Sequence, residues 1–190
     1  MLQSVLGLSL IYLSSLGGAI GGSPSLQSIL GGSNIEVYFP DEPGYQNVSR
    51  AFNLRVDFKP IAVAYPNSTE EVAVLVQAGA SLGLPGKSAV FTSVSAGFTS
   101  HNPTLYPLVN ARSGGHSYAG YGLGGADGHV IVDLSNLKHI NVDVSTGVAV
   151  VGAGSRLGDI ALALFNQAGR AIPHGTCPLV GIGGHASFGG

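Results

Sequence analysis

Apolar residues along this chain come in short runs separated by glycine, proline and small polar residues, and the spacing within each run predicts its element. Ile61-Ala62-Val63-Ala64-Tyr65 is unbroken and stops at Pro66, which predicts a short buried strand. Ser68 and Glu71 then form a capping box, a hydroxyl and a carboxylate placed to satisfy the first free N–H groups of a helix. Val72, Leu75, Val76 and Leu82 carry that helix at its own period, and Gly83 and Pro85 end it. His129 to Leu134 predicts a second buried strand, after a glycine-rich turn over Tyr121 to Gly128. Ile140 to Val144 and Val148 to Val151 flank Ser145-Thr146-Gly147, which predicts a hairpin with glycine at the position that needs positive φ. Ser155 is expected to cap a last helix carrying Leu157, Ile160, Ala161, Leu164 and Phe165, with Asp159 in its first turn and Gly169 beyond its end. Strands and helices do not alternate as regular βαβ units. The expected fold class is α+β, in a domain over 58–190.

The segments before that domain read differently. Residues 1–19 are apolar and uncharged, with Leu2, Val5, Leu6, Leu8, Leu10, Ile11 and Leu13 followed by Gly17-Gly18-Ala19, and are expected to be a secretory signal peptide. A buried N-terminal helix is the alternative. The run is too short and too interrupted by Ser and Gly to cross about 30 Å of hydrocarbon, so no membrane partner is expected. Residues 20–57 are rich in Gly, Ser and Pro and lack a period, which predicts an irregular leader. Asn47-Val48-Ser49 and Asn67-Ser68-Thr69 are glycosylation sequons, whereas Pro103 excludes Asn102. Together with the signal, Asn47 and Asn67 make this an expected secreted, extracellular glycoprotein.

Composition narrows the chemistry. Only 9% of the 190 residues are charged and the formal net charge is −2, so no basic surface exists to neutralise a nucleic-acid backbone. One cysteine excludes an internal disulfide framework and any multi-cysteine metal site. A mixed zinc site at His174, Cys177 and His185 is an open alternative, without a second metal-ligand element to support it. Residues 86–108 are anomalous: Ser, Thr, Phe and Pro, one lysine, no carboxylate, and 23 residues where a compact domain favours short connections. Gly86-Lys87-Ser88 can be encoded G-GTAAGT and Leu108-Val109 CTA-GTN, an intron donor and acceptor whose removal regenerates a valine and leaves the frame intact. The segment is either a long surface loop or an intron retained in frame, and sequencing mature transcripts separates the two.

Four motifs remain. Gly79-Ala80-Ser81-Leu82-Gly83 matches a hydrolase nucleophile elbow, but its serine falls at the end of a helix rather than on a strand-to-helix turn. Gly152-Ala153-Gly154-Ser155-Arg156-Leu157-Gly158 imitates a dinucleotide fingerprint with its third glycine one residue late and no acidic residue at the required distance. An ordinary tight turn is the simpler reading. Arg112-Ser113-Gly114-Gly115-His116-Ser117-Tyr118 puts a cation, small residues and an imidazole in one loop whose two glycines let consecutive N–H groups converge on an anion such as phosphate. Gly175-Thr176-Cys177-Pro178-Leu179-Val180-Gly181-Ile182-Gly183-Gly184-His185 holds the one cysteine beside a second glycine-rich run. A buried free thiol is the alternative reading of Cys177.

These last two motifs, and the chain from about Val56 to Gly190, resemble the PCMH-type FAD-binding domain of the covalent flavoprotein oxidases, the fold shared by vanillyl-alcohol oxidase and berberine-bridge enzymes. Within that superfamily the cysteine before Pro178 makes the likeness nearest to the glucooligosaccharide and chitooligosaccharide oxidases. The resemblance implies that Arg112, Ser113, Gly114, Gly115, His116 and Ser117 wrap the FAD diphosphate, with Gly181, Gly183, Gly184 and His185 also binding the cofactor. It implies bicovalent FAD, with His116 bonded to the 8α carbon and Cys177 to C6, and no metal. It further implies oxidation of the reducing-end anomeric hydroxyl of an oligosaccharide to a lactone, with O2 becoming hydrogen peroxide. The catalytic base is expected on later sequence, so the domain reads as truncated, with its substrate domain absent. Two alternatives stand beside this: a berberine-bridge-like oxidase of a phenolic or alkaloid metabolite, and an inactive flavin-binding fragment.

Overall fold

The computed structural model describes residues 25–82 and 109–187. The expected signal peptide at 1–19, the anomalous segment at 86–108 and the helix stop at Gly83 and Pro85 lie outside the described residues. Within them run α1 (Leu26–Leu30), β1 (Glu36–Tyr38), α2 (Tyr45–Val48), β2 (Ala62–Tyr65), α3 (Thr69–Leu82), β3 (Val109–Arg112), β4 (Val130–Asp133), β5 (Ile140–Asp143), β6 (Val148–Val151), α4 (Leu157–Ala168) and α5 (Ile182–Ser187). Single 3₁₀ turns cover Tyr121–Leu123 and Leu134–Asn136. The mixture of helices with one mainly parallel sheet and one hairpin is the α+β arrangement expected. No helix among the described residues is long and apolar enough to cross a membrane.

The sheet has the order β1-β2-β4-β3, with β1 antiparallel to β2 and the other pairs parallel. Its two central strands are the apolar runs read from sequence, and they are buried because both faces are covered. Alternation sorts their side chains. Ala62, Ala64, Val130 and Val132 point to one face, where Leu75 and Ala78 of α3 and Leu26 and Leu30 of α1 cover them. Val63 and Ile131 point to the other, against Leu123, with Val48 and Phe58 at the margin. Helix α3 starts with half of the expected capping box: Ser68 Oγ accepts from Glu71 N at 3.2 Å, while the Glu71 carboxylate reaches one residue further back than a capping box does, accepting from Asn67 N at 2.6 Å. Gly79 brings α3 against β3, since a Cβ there would lie 1.9 Å from Val109 Cγ2. Ser81 Oγ donates to Ala78 O inside the same helix at 2.7 Å, so it is no strand-borne nucleophile.

Two expectations are corrected. The irregular leader at 20–57 is, from residue 25 on, built into the domain: β1 extends the sheet, and Leu26, Leu30, Ile35 and Tyr45 are buried. Tyr45 also donates its hydroxyl to Pro60 O at 2.6 Å, tying α2 to the start of β2. Elements of three to five residues are too short to show a period. The second correction concerns Ser155, which does not cap α4. The N-cap is Arg156, and the buried Ser155 hydroxyl has no partner among the described residues. Backbone replaces the side chain: Leu157 N donates to Val180 O at 2.9 Å and Gly158 N to Pro178 O at 3.0 Å.

The glycines imitating a dinucleotide fingerprint serve packing. A Cβ on Gly152 would lie 2.2 Å from Leu137 O and one on Gly154 only 1.7 Å from Leu134 O, while their N–H groups donate to His139 O and Leu137 O. Those donors are consumed within the chain, as the tight-turn reading requires.

Beyond the sheet, β5 and β6 form the expected hairpin, with Gly147 at φ 73°. Gln167 at the end of α4 spans the outer edge of β5, accepting from Val142 N and donating to Ile140 O, each at 3.0 Å. Asp143 organises the turn. Its carboxylate accepts from Ser145 N at 2.9 Å, Ser145 Oγ at 2.6 Å and Thr146 N at 3.3 Å, and these bonds hold its pKa down to about 2. A depressed carboxylate stabilises the fold above its unfolded pKa, and that contribution fades as pH falls towards the folded value. A carboxyl-detected NMR titration should therefore place Asp143 near pH 2, with protection of the Ser145 and Thr146 amides constant from pH 7 to 5 and lost below pH 3. An Asp143 midpoint close to 4 would contradict the hydrogen-bonded turn.

Candidate flavin site

Arg112 ends β3 opposite Asp133 of β4, and the pairing register brings their side chains together. Arg112 Nε donates to Asp133 Oδ2 at 2.5 Å, with each side chain about 10% exposed. Its Nη1 donates to Val48 O at 2.8 Å and its Nη2 to the Tyr65 hydroxyl at 3.4 Å. Burial pushes the Tyr65 phenol up, against the opposing Arg112 charge, so it stays protonated. The guanidinium expected to face a diphosphate is thus turned into the domain. Arg112 anchors the loop that follows instead of lending it a charge.

That loop meets the second glycine-rich run face to face, although 61 residues separate His116 from Cys177. Ser113 Oγ donates to Ala153 O at 2.6 Å and accepts from Gly183 N at 3.2 Å. Gly181 lies against Gly114 so closely that a Cβ on Gly181 would be 2.2 Å from Gly114 N and 2.4 Å from Ser113 Oγ. Only glycine permits this approach. Past the junction, Gly115 turns at φ 71°. The N–H groups of Gly114, Gly115, His116 and Ser117 donate to no protein acceptor among the described residues. Successive N–H groups without a protein acceptor at a glycine turn are donors of the kind that an anionic diphosphate takes up.

His116 stands at the rim of this turn. Its Nε2 lies 3.0 Å from Leu179 O, and its ring sits against Phe52 with centroids 4.6 Å apart and planes tilted by 51°. Phe52 meets Tyr118 edge-on at 5.7 Å. Cys177 is a free, exposed thiol, and Val180 N closes a turn onto its carbonyl at 3.4 Å, so the buried-thiol alternative is not what the fold holds. Arg156 Nη1 donates to the same Leu179 O at 3.2 Å. The structure therefore brings Ser113, Gly114, His116, Gly181 and Gly183 together and places Cys177 two residues from the carbonyl that His116 reaches. Ser117 accepts from Tyr121 N at 3.3 Å, Gly184 has open space around it, and His185 opens towards Gly175 from α5. His174, Cys177 and His185 form no metal-holding group, and none of three or more such side chains occurs among the described residues.

Sequence reading missed Phe52 and Arg156. Phe52 sits in the supposed leader, with no periodic neighbour to mark it. Arg156 carried a signal, a cation at the mouth of a glycine-rich turn, that the fingerprint comparison overlooked.

Comparison with known proteins bears on the domain as a whole. A family model described as an FAD binding domain matches residues 107–190. Glucooligosaccharide oxidase of Sarocladium strictum is 39% identical over 87% of the chain, which corresponds to 28% of that protein's length. A solved structure addressing the 6-S-cysteinyl, 8α-N1-histidyl FAD of glucooligosaccharide oxidase from Acremonium strictum superposes with a TM-score of 0.69 at 38% identity, covering 85% of this chain and 29% of that one. Physcomitrella patens BBE-like 1 superposes with a TM-score of 0.70 at 33% identity, covering 86% of this chain and 30% of that one. The chain thus spans less than a third of the length of these relatives. Over the stretch it shares with them, the chain is similar to the oligosaccharide oxidases and the berberine-bridge-enzyme-like proteins, and its residues 107–190 match their FAD binding domain.

Proposed function

We propose that this chain is the flavin-holding part of a secreted oxidase that tethers FAD through both His116 and Cys177. The whole protein would oxidise the reducing-end anomeric hydroxyl of an oligosaccharide to a lactone, the two electrons and two protons removed converting O2 to hydrogen peroxide. One observation supports the reading: the His116 ring reaches the Leu179 carbonyl, two residues along the chain from the exposed Cys177, so the loop of one would-be tether lies against the segment that carries the other. Bound there, FAD supplies the two-electron acceptor. The chain's own residues hold it: the N–H groups of 114–117 receive its phosphates, Gly114 and Gly181 let the two loops close beneath it, and His116 and Cys177 fix its ring. Tethers at an exposed rim need no deep enclosing pocket, which suits a chain-like sugar. Exposure of Asn47 and Asn67 is consistent with glycosylation during secretion.

A second reading, an oxidase of a phenolic or alkaloid metabolite, is favoured by the equally close superposition on a BBE-like protein. The discriminating experiment divides secreted protein in two: one portion is precipitated with acid and washed free of loose cofactor, and the other is kept native and offered a panel of oligosaccharides and phenols. Flavin absorbance should remain in the precipitates of wild type, His116→Ala and Cys177→Ala, and vanish only in the double variant. A colourless wild-type precipitate would rule out covalent tethering.

A further inference from the structure

We infer that Arg156 is a positioning residue for His116, holding its imidazole as the Nε2–H tautomer with the lone pair at Nδ1. This rests on the tethering role proposed for His116. A carbonyl oxygen only accepts hydrogen bonds, so the ring nitrogen 3.0 Å from Leu179 O carries the hydrogen, and a neutral ring then keeps its lone pair on Nδ1. What fixes that carbonyl is Arg156. Pro178 and Val180 give their carbonyls to the first backbone donors of α4, and Leu179, between them, gives its carbonyl to the Arg156 guanidinium at 3.2 Å. Three successive carbonyls of the Cys177-bearing segment are thereby read by the start of one helix.

Arg156 is itself held in place. Its backbone is the N-cap of α4 and pairs with Gly181 in an isolated antiparallel bridge. Its Nη1 occupies space beside Gly114, only 2.8 Å from where a Cβ would stand. Phe52 bounds the His116 ring at 4.6 Å and restricts its rotation. Arg112, nearer in sequence, faces elsewhere, with its bonds going to Asp133, Val48 and Tyr65. The segment that carries the thiol therefore also sets the proton of the histidine.

The test needs no flavin at first. In the nitrogen-15-labelled full chain, a long-range proton–nitrogen spectrum separates the two tautomers, and the His116 signals are identified by their loss in His116→Gln. The wild type should show Nε2–H, Arg156→Lys should keep it, and Arg156→Met should give mixed tautomers. Arg156→Gln, a shorter neutral donor, should also give mixed tautomers and serves where the Met variant does not fold. With FAD added, covalent flavin should accumulate about tenfold more slowly in Arg156→Met, as when a partner of a functional imidazole is removed, and recover in Arg156→Lys. A wild-type Nδ1–H ring, or neutral variants with the wild-type tautomer, would overturn the inference. A wild type that shows Nε2–H but retains no flavin would instead refute the tethering proposal and leave the tautomer assignment standing.

Discussion

Replacing Asp133 with alanine is expected to lower the free energy of unfolding by about 3–5 kcal/mol, the cost of removing one partner from a buried ion pair. The magnitude follows from what is left behind. Arg112 would keep its bonds to Val48 O and the Tyr65 hydroxyl, but its charge would lie about 90% removed from water with no counter-ion. Asp133 also accepts from Ser135 N at 2.9 Å, so the 3₁₀ turn after β4 loses its cap in the same step. A urea titration at constant m-value measures the loss. The paired variant Arg112→Met/Asp133→Leu should recover most of it, because two apolar side chains remove the stranded charge together with its partner. A single variant within 1 kcal/mol of wild type would mean that Arg112 is free to leave the domain and face a phosphate after all.

Gly181→Ala should act on the site and not on the sheet. The added Cβ would fall 2.2 Å from Gly114 N and 2.4 Å from Ser113 Oγ, and a backbone atom cannot turn aside as a flexible side chain can. The two loops must part by about 1 Å to reach ordinary van der Waals separation, and a displacement of that size between reacting groups costs up to about 10²-fold in rate. Covalent flavin retention should fall by about that factor, with an unfolding midpoint shifted far less than in Asp133→Ala. Gly32→Ala supplies the control, since nothing lies within 4 Å of its added methyl group. Normal flavinylation in Gly181→Ala would show that the loops need not touch for the cofactor to be held.

The parts of the fold that sequence revealed are those whose cause is local. The run Ile61 to Tyr65 gave β2 because apolar continuity marks burial on both faces, and Ser68 with Glu71 gave the start of α3 because both side chains bond backbone N–H groups within five residues of one another. Gly147 marked the hairpin because only its φ closes that turn readily. Both halves of the flavin site were visible as glycine-rich motifs, and their resemblance to a known family indicated that they share a cofactor. What stayed hidden depends on partners far along the chain. The Arg112 charge is absorbed by a residue 21 positions later, and α4 is capped by carbonyls at 178 and 180 instead of the serine beside it. The short elements between residues 25 and 48 are buried because the sheet needs covering, not because their own pattern demands it.

The Gln167 amide across the edge of β5 also bears on how copies of this chain can associate. An unpaired strand edge is a template on which another chain can add a strand, and this hairpin exposes Val144, Val148 and Val150 at 65%, 58% and 56%. By occupying the N–H of Val142 and the carbonyl of Ile140, Gln167 stands in for part of a neighbouring strand, so among the described residues the β6 edge of the ribbon is the more open of the two. A strand adding to this ribbon would therefore compete with the Gln167 amide at β5 and meet no such side chain at β6.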